Sequence, residues 1–371
     1  MNKKLRDNNW FKHNNLTEPN ILNLLDLVSL GTVCDVVPLT GLNRAIVKQG
    51  LQIIKKRSNL GIKTLYDLCK IESQPTTYDL GFKLGPRINA GGRVGNSSHG
   101  SELLISDDPQ KVYQIAIDLE KSNKERQSIE KLLEEKIFSG LKKFDNYPVL
   151  VLSGKNWHEG ILGIVASRIK EKVNKPTILI SVSKGIGKGS ARSVVGFDIG
   201  SQIIKAVQSN ILEKGGGHKM AGGFTIKEKN ISLFRDLLIK NFERTSSYKS
   251  SKGLDLYLDS LIAPSALNEE FFEQINCLAP FGSGNNEPKF VIENIKVISS
   301  NVTEKNHIIS ILSGKDGTTF KGFTWNAKNT PLEPFLNIKH KKRINIAGKL
   351  RLNEWRGNRK IDFIIEDISL S

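Results

Sequence analysis

The first quarter of the chain reads as helix. Ile21, Leu24, Leu25 and Val28 follow helical apolar spacing with Pro19 at the first turn, and similar patterns recur near 44–55 and 61–71. Between them, Thr32 to Pro38 is an apolar, β-branched run broken by one acid, Asp35. Leu84-Gly85-Pro86-Arg87-Ile88-Asn89-Ala90-Gly91-Gly92-Arg93 reads as a loop rich in glycine and fixed charge. A long helix then starts at Asp108-Pro109, an acidic N-cap with proline at the first helical position, and runs to about Phe138. Apolar positions mark its ends (Val112, Ile115, Leu119; then Ile129, Leu133, Ile137), while Glu120 to Ser128 is almost wholly polar. That distribution predicts a solvent-bridging connector between two domains.

Beyond Pro148 the pattern becomes strand, helix, strand. Val149–Leu152 is a buried strand, 160–173 an amphipathic helix and Thr177–Ile180 a second strand, which predicts an α/β domain with at least one parallel crossover. The domain continues through Gly187–Ser193, a helix over 199–212, a glycine turn and a last helix near 230–243. Residues 245–253 read as a linker. The remainder is strand-like and turn-rich, with glycine breaks at 314–317 and 357, and predicts a small β-barrel.

Net charge is +17 with a pI near 9.6, a balance that favours a polyanionic partner. The charge is concentrated: nine Lys or Arg and a single acid, Glu354, fall between Lys339 and Lys360. No apolar run is long enough for a bilayer, and no apolar segment of signal-peptide type follows Met1. The three cysteines are widely spaced, form neither a disulfide framework nor a metal clamp, and point to a cytoplasmic protein.

The stretch Gly215-Gly216-Gly217-His218-Lys219-Met220-Ala221-Gly222-Gly223 is the most informative. Glycines allow close approach to a ligand, and exposed peptide N–H groups in such a turn bind anions. A helix C-cap followed by a bulge into a strand describes the same residues. Arg87, Asn89 and Arg93 surround a glycine turn, and arginine forks match phosphate oxygens; pairing with acids of their own domain is the alternative. Trp157-His158-Glu159-Gly160 opens a helix after a strand, where anions bind; there His158 also serves as a cap and Glu159 balances the dipole. Ser190, Arg192 and Ser193, with His218, form a candidate set for one phosphate. Asp35 is costly to bury unless paired or metal-bound, the alternative being a turn cap before Pro38. Near the C-terminus Trp325, Trp355, Phe320 and Phe323 accompany the basic cluster. Trp325 and the two phenylalanines equally suit barrel core, whereas Trp355 has a turn-like context and is the stacking candidate, with Lys341 and Lys342 as backbone contacts.

In order and spacing, Leu30–Leu39, Gly85–Arg93, Trp157–Gly160, Gly189–Ser193, Gly215–Gly223 and Pro280-Phe281-Gly282-Ser283-Gly284-Asn285 resemble the bacterial RecJ exonuclease family of DHH phosphoesterases. The resemblance covers the whole chain. It implies a 5′-to-3′ exonuclease specific for single-stranded DNA, acting in repair and recombination with two divalent metals, Mn2+ or Mg2+. The implied architecture is α/β and multidomain. Residues 1–105 would be the latter part of the catalytic DHH domain, 106–146 the connecting helix, 147–247 the DHH-associated domain and 253–371 an OB-fold. By motif match, Asp35 would be a catalytic metal ligand, and Arg87, Ser190, Arg192 and His218 would hold the DNA backbone or its 5′ phosphate. Asn89, Arg93, His158, Ser193, Gly216, Gly217, Lys341, Lys342 and Trp355 complete the expected DNA-binding set.

The chain departs from that family at its metal site. It has no Asp-x-Asp, no Asp-His-His and no adjacent histidines, and Asp35 alone cannot hold two metals. The expectation is therefore a split enzyme needing a separately encoded N-terminal half, a truncated or mis-started product, or a non-catalytic single-strand-binding remnant. A small-oligonucleotide or cyclic-dinucleotide phosphodiesterase of the same superfamily is a third reading, which the basic C-terminal barrel disfavours.

Overall fold

The computed structural model describes residues 1–244, 255–337, 342–355 and 358–371. The linker read at 245–253 lies outside them, as does Lys341. Two compact units form, one from Met1–Lys56, Gln74–Gly81 and Leu254–Ser371, the other from Arg57–Ser73 and Phe82–Gly253.

The first unit opens with α1 (Asn2–Asp7), α2 (Trp10–His13), α3 (Leu25–Cys34) and α4 (Gly41–Lys55). The apolar run around Asp35 is the end of α3, not a buried segment. Asp35 is the exposed residue after the last helical turn, and Val36 follows in a left-handed conformation at φ 56°. The cost of burying a carboxylate therefore never arises at this position.

The second unit begins with α5 (Leu60–Leu68), α6 (Gly85–Val94), α7 (His99–Ile105) and α8 (Pro109–Gly140). Residues 85–94 are helix where a loop was expected. Pro86 occupies the first turn, Ala90 and Gly91 are buried, and a Cβ on Gly91 would meet the Asn96 carbonyl at 2.5 Å. The glycine there serves close packing rather than chain flexibility. Asp108 caps α8 by accepting the N–H groups of Gln110 (2.9 Å) and Lys111 (3.2 Å).

A mixed sheet follows: β1 (Leu150–Lys155), α9 (Leu162–Val173), β2 (Thr177–Ser183), β3 (Ile186–Arg192), α10 (Ile199–Gln208), β4 (Lys214–His218), β5 (Ala221–Lys227) and α11 (Ile231–Glu243). Strand order is β1-β2-β3-β5-β4; β1 and β2 are parallel across the α9 crossover, and every other pair is antiparallel. One face carries Ile178, Ile180, Ala191 and Phe224 against Ile203 of α10 and Phe234 of α11. The opposite face packs Leu150, Leu152 and Leu179 against α9 and against Leu133 and Ile137 of α8.

The polar middle of α8 does not face solvent all round: one stripe of it is buried. Asn123, Arg126 and Glu130 continue the apolar stripe of its first turns. Arg126 donates to Asn123 Oδ1 at 2.8 Å and to Glu130, while Arg168 of α9 reaches Glu130 at 3.2 Å and Glu134 at 2.9 Å. Paired charges can occupy an interior position that hydropathy alone assigns to solvent.

The first unit closes with β6 (Ser260–Leu261), α12 (Glu269–Asn276), β7 (Phe290–Val302), β8 (Ile308–Ser313), β9 (Thr319–Thr324), α13 (Glu333–Leu336), β10 (Ile344–Trp355) and β11 (Asn358–Leu370). Strands run β10-β11-β9-β8-β7, and a β10–β7 pairing closes the barrel, with β9 and β11 parallel. Inward residues such as Ile292, Ile295, Leu312, Ile346 and Phe363 fill it. The expected α/β multidomain architecture with a C-terminal OB-type barrel is present. The glycine-rich 280–285 loop binds the N-terminal helical region of its own unit. Ser283 O accepts from Leu39 N–H (2.6 Å), and Phe281 O accepts from the Thr77 hydroxyl (2.6 Å).

Candidate nucleic-acid interface

Gly215–Gly217 form strand β4 rather than a turn; the turn is Lys219-Met220. The alternation of the pleat divides the glycines between two tasks. Toward α10, a Cβ on Gly215 would meet Ile203 at 2.7 Å, and one on Gly217 would lie 2.5 Å from the Gly222 Cα. Their lack of side chains lets α10 lie directly on the hairpin. On the other face a Cβ on Gly216 would meet nothing within 4 Å, and one on Gly223 only a carbonyl at 3.7 Å.

That second face carries the polar candidates. Ser190 pairs with Gly223, which pairs with Gly216; Arg192 pairs with Ala221, which pairs with His218. Ser190, Arg192 and His218 therefore point to one side of the sheet, with Arg192 and His218 about 10 Å apart by strand spacing. The N-terminal turn of α9 approaches the same place: a Cβ on Gly163 would fall 2.7 Å from Arg192 Nη2 and 3.1 Å from Ser190 Oγ. α9 continues from the 3-10 turn Glu159–Ile161, whose Gly160 and Ile161 N–H groups are taken by His158 and whose carbonyl at Glu159 accepts the Leu162 N–H, so it is Gly163 without a side chain that leaves room beside Arg192.

Arg192 is half-buried and, among the described residues, hydrogen-bonds only to Ser190 Oγ (3.3 Å) and the Ala191 carbonyl (2.9 Å). Burial lowers its pKa from the ordinary arginine value, and the like charge of Arg93 lowers it further. Arginine nevertheless stays protonated at neutral pH. Among the described residues neither arginine has a carboxylate partner; Arg93 instead donates to Gly160 O at 2.9 Å. Two neighbouring guanidinium groups without a carboxylate partner have the charge and fork geometry that suit an anion.

Other candidates go elsewhere. Arg87 donates to Glu120 at 2.6 Å and to the Lys83 carbonyl at 2.7 Å, the same-domain pairing of the alternative reading. Asn89 is exposed on α6. His158 caps the turn after β1, its Nδ1 accepting Gly160 N–H at 3.2 Å, and Glu159 pairs with Lys188 at 2.8 Å. Ser193 is turned inward, donating its hydroxyl to Phe197 O at 2.6 Å. Asp35 belongs to the other unit, and no three His, Cys, Asp or Glu side chains gather into a metal site among the described residues. A lone exposed carboxylate does not meet the coordination needs of two divalent ions. In the barrel, Lys342 is exposed, and Trp355 ends β10 opposite Asn358, its side chain lying outside the described residues. Part of the basic cluster is neutralised locally: Lys349 pairs with Glu287 (2.6 Å), and Arg359 with Glu269 (3.1 Å) and Glu273 (2.9 Å). Sequence reading missed the close approach of Gly163 to Arg192 and Ser190, for which only the small residue was a signal.

The two glycine tasks separate experimentally. Gly217→Ala should destabilise the unit by about 1–3 kcal/mol, because a Cβ there meets backbone rather than a flexible side chain. Gly216→Ala should leave urea unfolding unchanged while weakening oligonucleotide binding. Equal unfolding midpoints for the two variants would refute the division.

A RecJ OB domain model matches residues 258–367, and a DHHA1 domain model matches residues 146–244. The single-stranded-DNA-specific exonuclease RecJ of Haemophilus influenzae is 37% identical over 367 residues, covering 95% of this chain and 62% of the relative. RecJ of Escherichia coli is 31% identical, covering 98% of this chain and 64% of its own length. The chain thus spans less than two thirds of these relatives. A crystal structure of RecJ from Thermus thermophilus in complex with Mn2+ superposes with TM-score 0.80 at 28% identity, over 97% of this chain and 51% of that one. With both domain models in the family's order, and nearly the whole chain aligned to its members, this chain belongs to the RecJ family.

Proposed function

We propose that this chain is the DNA-holding portion of a RecJ-type 5′-to-3′ exonuclease for single-stranded DNA. In this reading residues 1–105 are the latter part of a DHH domain, 106–146 its connecting helix, 147–247 the DHH-associated domain and 253–371 the OB-fold. The observation that carries it is the face of the sheet where Ser190, Arg192 and His218 share one side, next to Gly163 in the first turn of α9. Arg192 would grip the terminal phosphate bidentately, with Arg93 adding charge and Ser190 a hydroxyl. The strand would then run over Gly216 and Gly223, where missing side chains let its backbone approach, while Gly217, expected to join them, faces α10. Arg87 and His158 act by holding α6 and the turn before α9 in place. In the other unit, Lys341, Lys342 and Trp355 would be contacts of the barrel with a single strand.

Cleavage with Mn2+ or Mg2+ needs carboxylate and imidazole ligands beyond Asp35; the sequence has no Asp-His-His, and no such cluster gathers among the described residues. The test pairs binding with turnover. Purified chain should bind a 5′-phosphorylated single strand more tightly than its 5′-hydroxyl form or a duplex, and should not shorten any of them with either metal. Adding a polypeptide that bears a relative's Asp-His-His segment should start degradation from the 5′ end. Absence of any 5′-phosphate or single-strand preference would overturn the reading. Vigorous degradation by the chain alone, lost in Asp35→Ala, would overturn its catalytic part. Binding without restored turnover would favour a non-catalytic single-strand-binding protein, the reading suggested by the missing ligand cluster.

A further inference from the structure

The glycine-rich loop 280–285, ahead of β7, takes no part in the phosphate site, yet it grips the chain beside Asp35. Its own shape is closed. Gly282 and Asn285 exchange backbone hydrogen bonds at 2.9 and 3.1 Å, and Asn285 Nδ2 donates to the Pro280 (2.9 Å) and Leu278 (3.0 Å) carbonyls. Outward, Ser283 O accepts the Leu39 N–H at 2.6 Å, and Phe281 O accepts the Thr77 hydroxyl at 2.6 Å. From α4, Asn43 Nδ2 donates to Pro38 O at 3.1 Å and Arg44 Nη2 to Leu278 O at 2.6 Å. On the other side of Asp35, Cys34 Sγ donates to Leu80 O at 3.6 Å. The fit is close: a Cβ on Gly282 would fall 2.8 Å from Leu39 Cδ1. One on Gly284, which is left-handed at φ 72°, would fall 3.1 Å from Pro38 Cβ.

The stretch held in this way contains a strained residue. Val36 closes α3 in a left-handed conformation at φ 56°, although its side chain is branched at Cβ and 68% exposed. Such a backbone suits glycine or asparagine and is unfavourable for a β-branched residue. An exposed valine gains too little from packing to offset it. Two hydrogen bonds nevertheless depend on this conformation: Val36 N–H to Val33 O (3.1 Å) and Val37 N–H to Thr32 O (3.0 Å), the pair that ends the helix at Asp35. Strained backbone persists where its surroundings over-determine it, and the loop supplies that restraint at Pro38 and Leu39.

We propose that loop 280–285 is a positioning element for Asp35: it holds Val36 left-handed and so fixes the turn on which the aspartate stands. The inference rests on the reading above, in which Asp35 joins ligands brought by an Asp-His-His segment, and adds what readies the carboxylate for them. An exposed carboxylate at a helix end moves as that end frays. A site assembled from two sources tolerates little such movement, because each ligand must already stand where the others expect it. The loop leads into β7, so the same contacts tie the barrel to the Asp35 turn.

The test follows amide hydrogen exchange of the full chain by mass spectrometry, comparing a peptide spanning the Asp35 turn, 31–40, with one from β10 of the barrel. Gly284→Val should speed exchange in 31–40 about ten- to hundred-fold, while the β10 peptide and the 5′-phosphate preference stay unchanged. Adding Val36→Asn, which suits the left-handed backbone, should restore most of the protection; a loop that merely staples segments together would gain nothing from it. Thr77→Val should loosen the turn in the same direction and Thr77→Ser should not, a comparison that decides the matter if Gly284→Val does not fold. With a polypeptide bearing a relative's Asp-His-His segment, Gly284→Val should lower kcat and leave KM unchanged. Unchanged exchange at 31–40 in the folded variant overturns the proposal. So does failure of Val36→Asn to restore protection, or an unaltered kcat despite a loosened turn. If the unaltered mixture shows no turnover, the split-enzyme reading falls by itself, and the exchange comparison still upholds or overturns the loop's hold on the turn.

Discussion

Glu130→Ala is expected to lower the stability of the second unit by about 3–5 kcal/mol, read as a large fall in its urea midpoint. Glu130 has no exposed side-chain surface, and its carboxylate answers Arg126, itself nearly buried, together with Arg168. Removing it leaves a guanidinium desolvated and uncompensated between α8 and α9, a penalty larger than the pair's own net contribution. Glu134→Ala supplies the contrast. Glu134 pairs with the same Arg168 at 2.9 Å, but in partial contact with water, and should cost only about 0–1 kcal/mol. Similar losses in the two variants would show that the buried network does not hold α8 to α9.

The second large effect concerns binding. Arg192→Ala should weaken binding of a 5′-phosphorylated single strand by about 10- to 150-fold, the equivalent of roughly 1.5–3 kcal/mol for a charge-assisted hydrogen bond. Arg192→Lys should recover only part of this, because an ammonium lacks the planar fork. The loss should shrink when the 5′ end is a hydroxyl, which a general electrostatic contribution would not produce. Titration of tight inorganic phosphate by the unaltered chain and not by Arg192→Ala would place the anion at this guanidinium. Equal losses for 5′-phosphate and 5′-hydroxyl strands would remove the end-specific role.

Most helices and strands were legible because their signals are local. Asp108-Pro109 starts α8 through a cap and a preset backbone angle, neither of which depends on distant residues. The strand–helix–strand run after Pro148 and the closing barrel follow from periodicity and turns. The phosphate candidates Ser190, Arg192 and His218 were also legible as residue types, since few other side chains suit a phosphate.

Where local reading failed, packing had changed the meaning of a residue. Glycines in 85–94 and 215–217 suggested loop and turn, yet form a helix and a strand, because their value lies in close approach to Asn96 and Ile203. Asp35 sits in an apolar run but faces solvent, because the helix ends one residue earlier. Asn123, Arg126 and Glu130 form an interior polar stripe on α8, because Arg126 finds partners 3 and 4 positions away and Glu130 a further one on α9. Trp325 suited the core by composition and is half-exposed by the phase of the pleat.

By itself, then, the sequence determined the element order, the family and the kinds of side chain offered to a phosphate, all of which depend on identity and spacing along the chain. Only the tertiary structure decided that Arg93 rather than Arg87 lends its charge to Arg192, since Glu120 lies 33 residues from Arg87 and neutralises it. It also decided which side of the glycine strand stays open, because one residue of register exchanges every side chain between a face covered by α10 and a face left to a ligand.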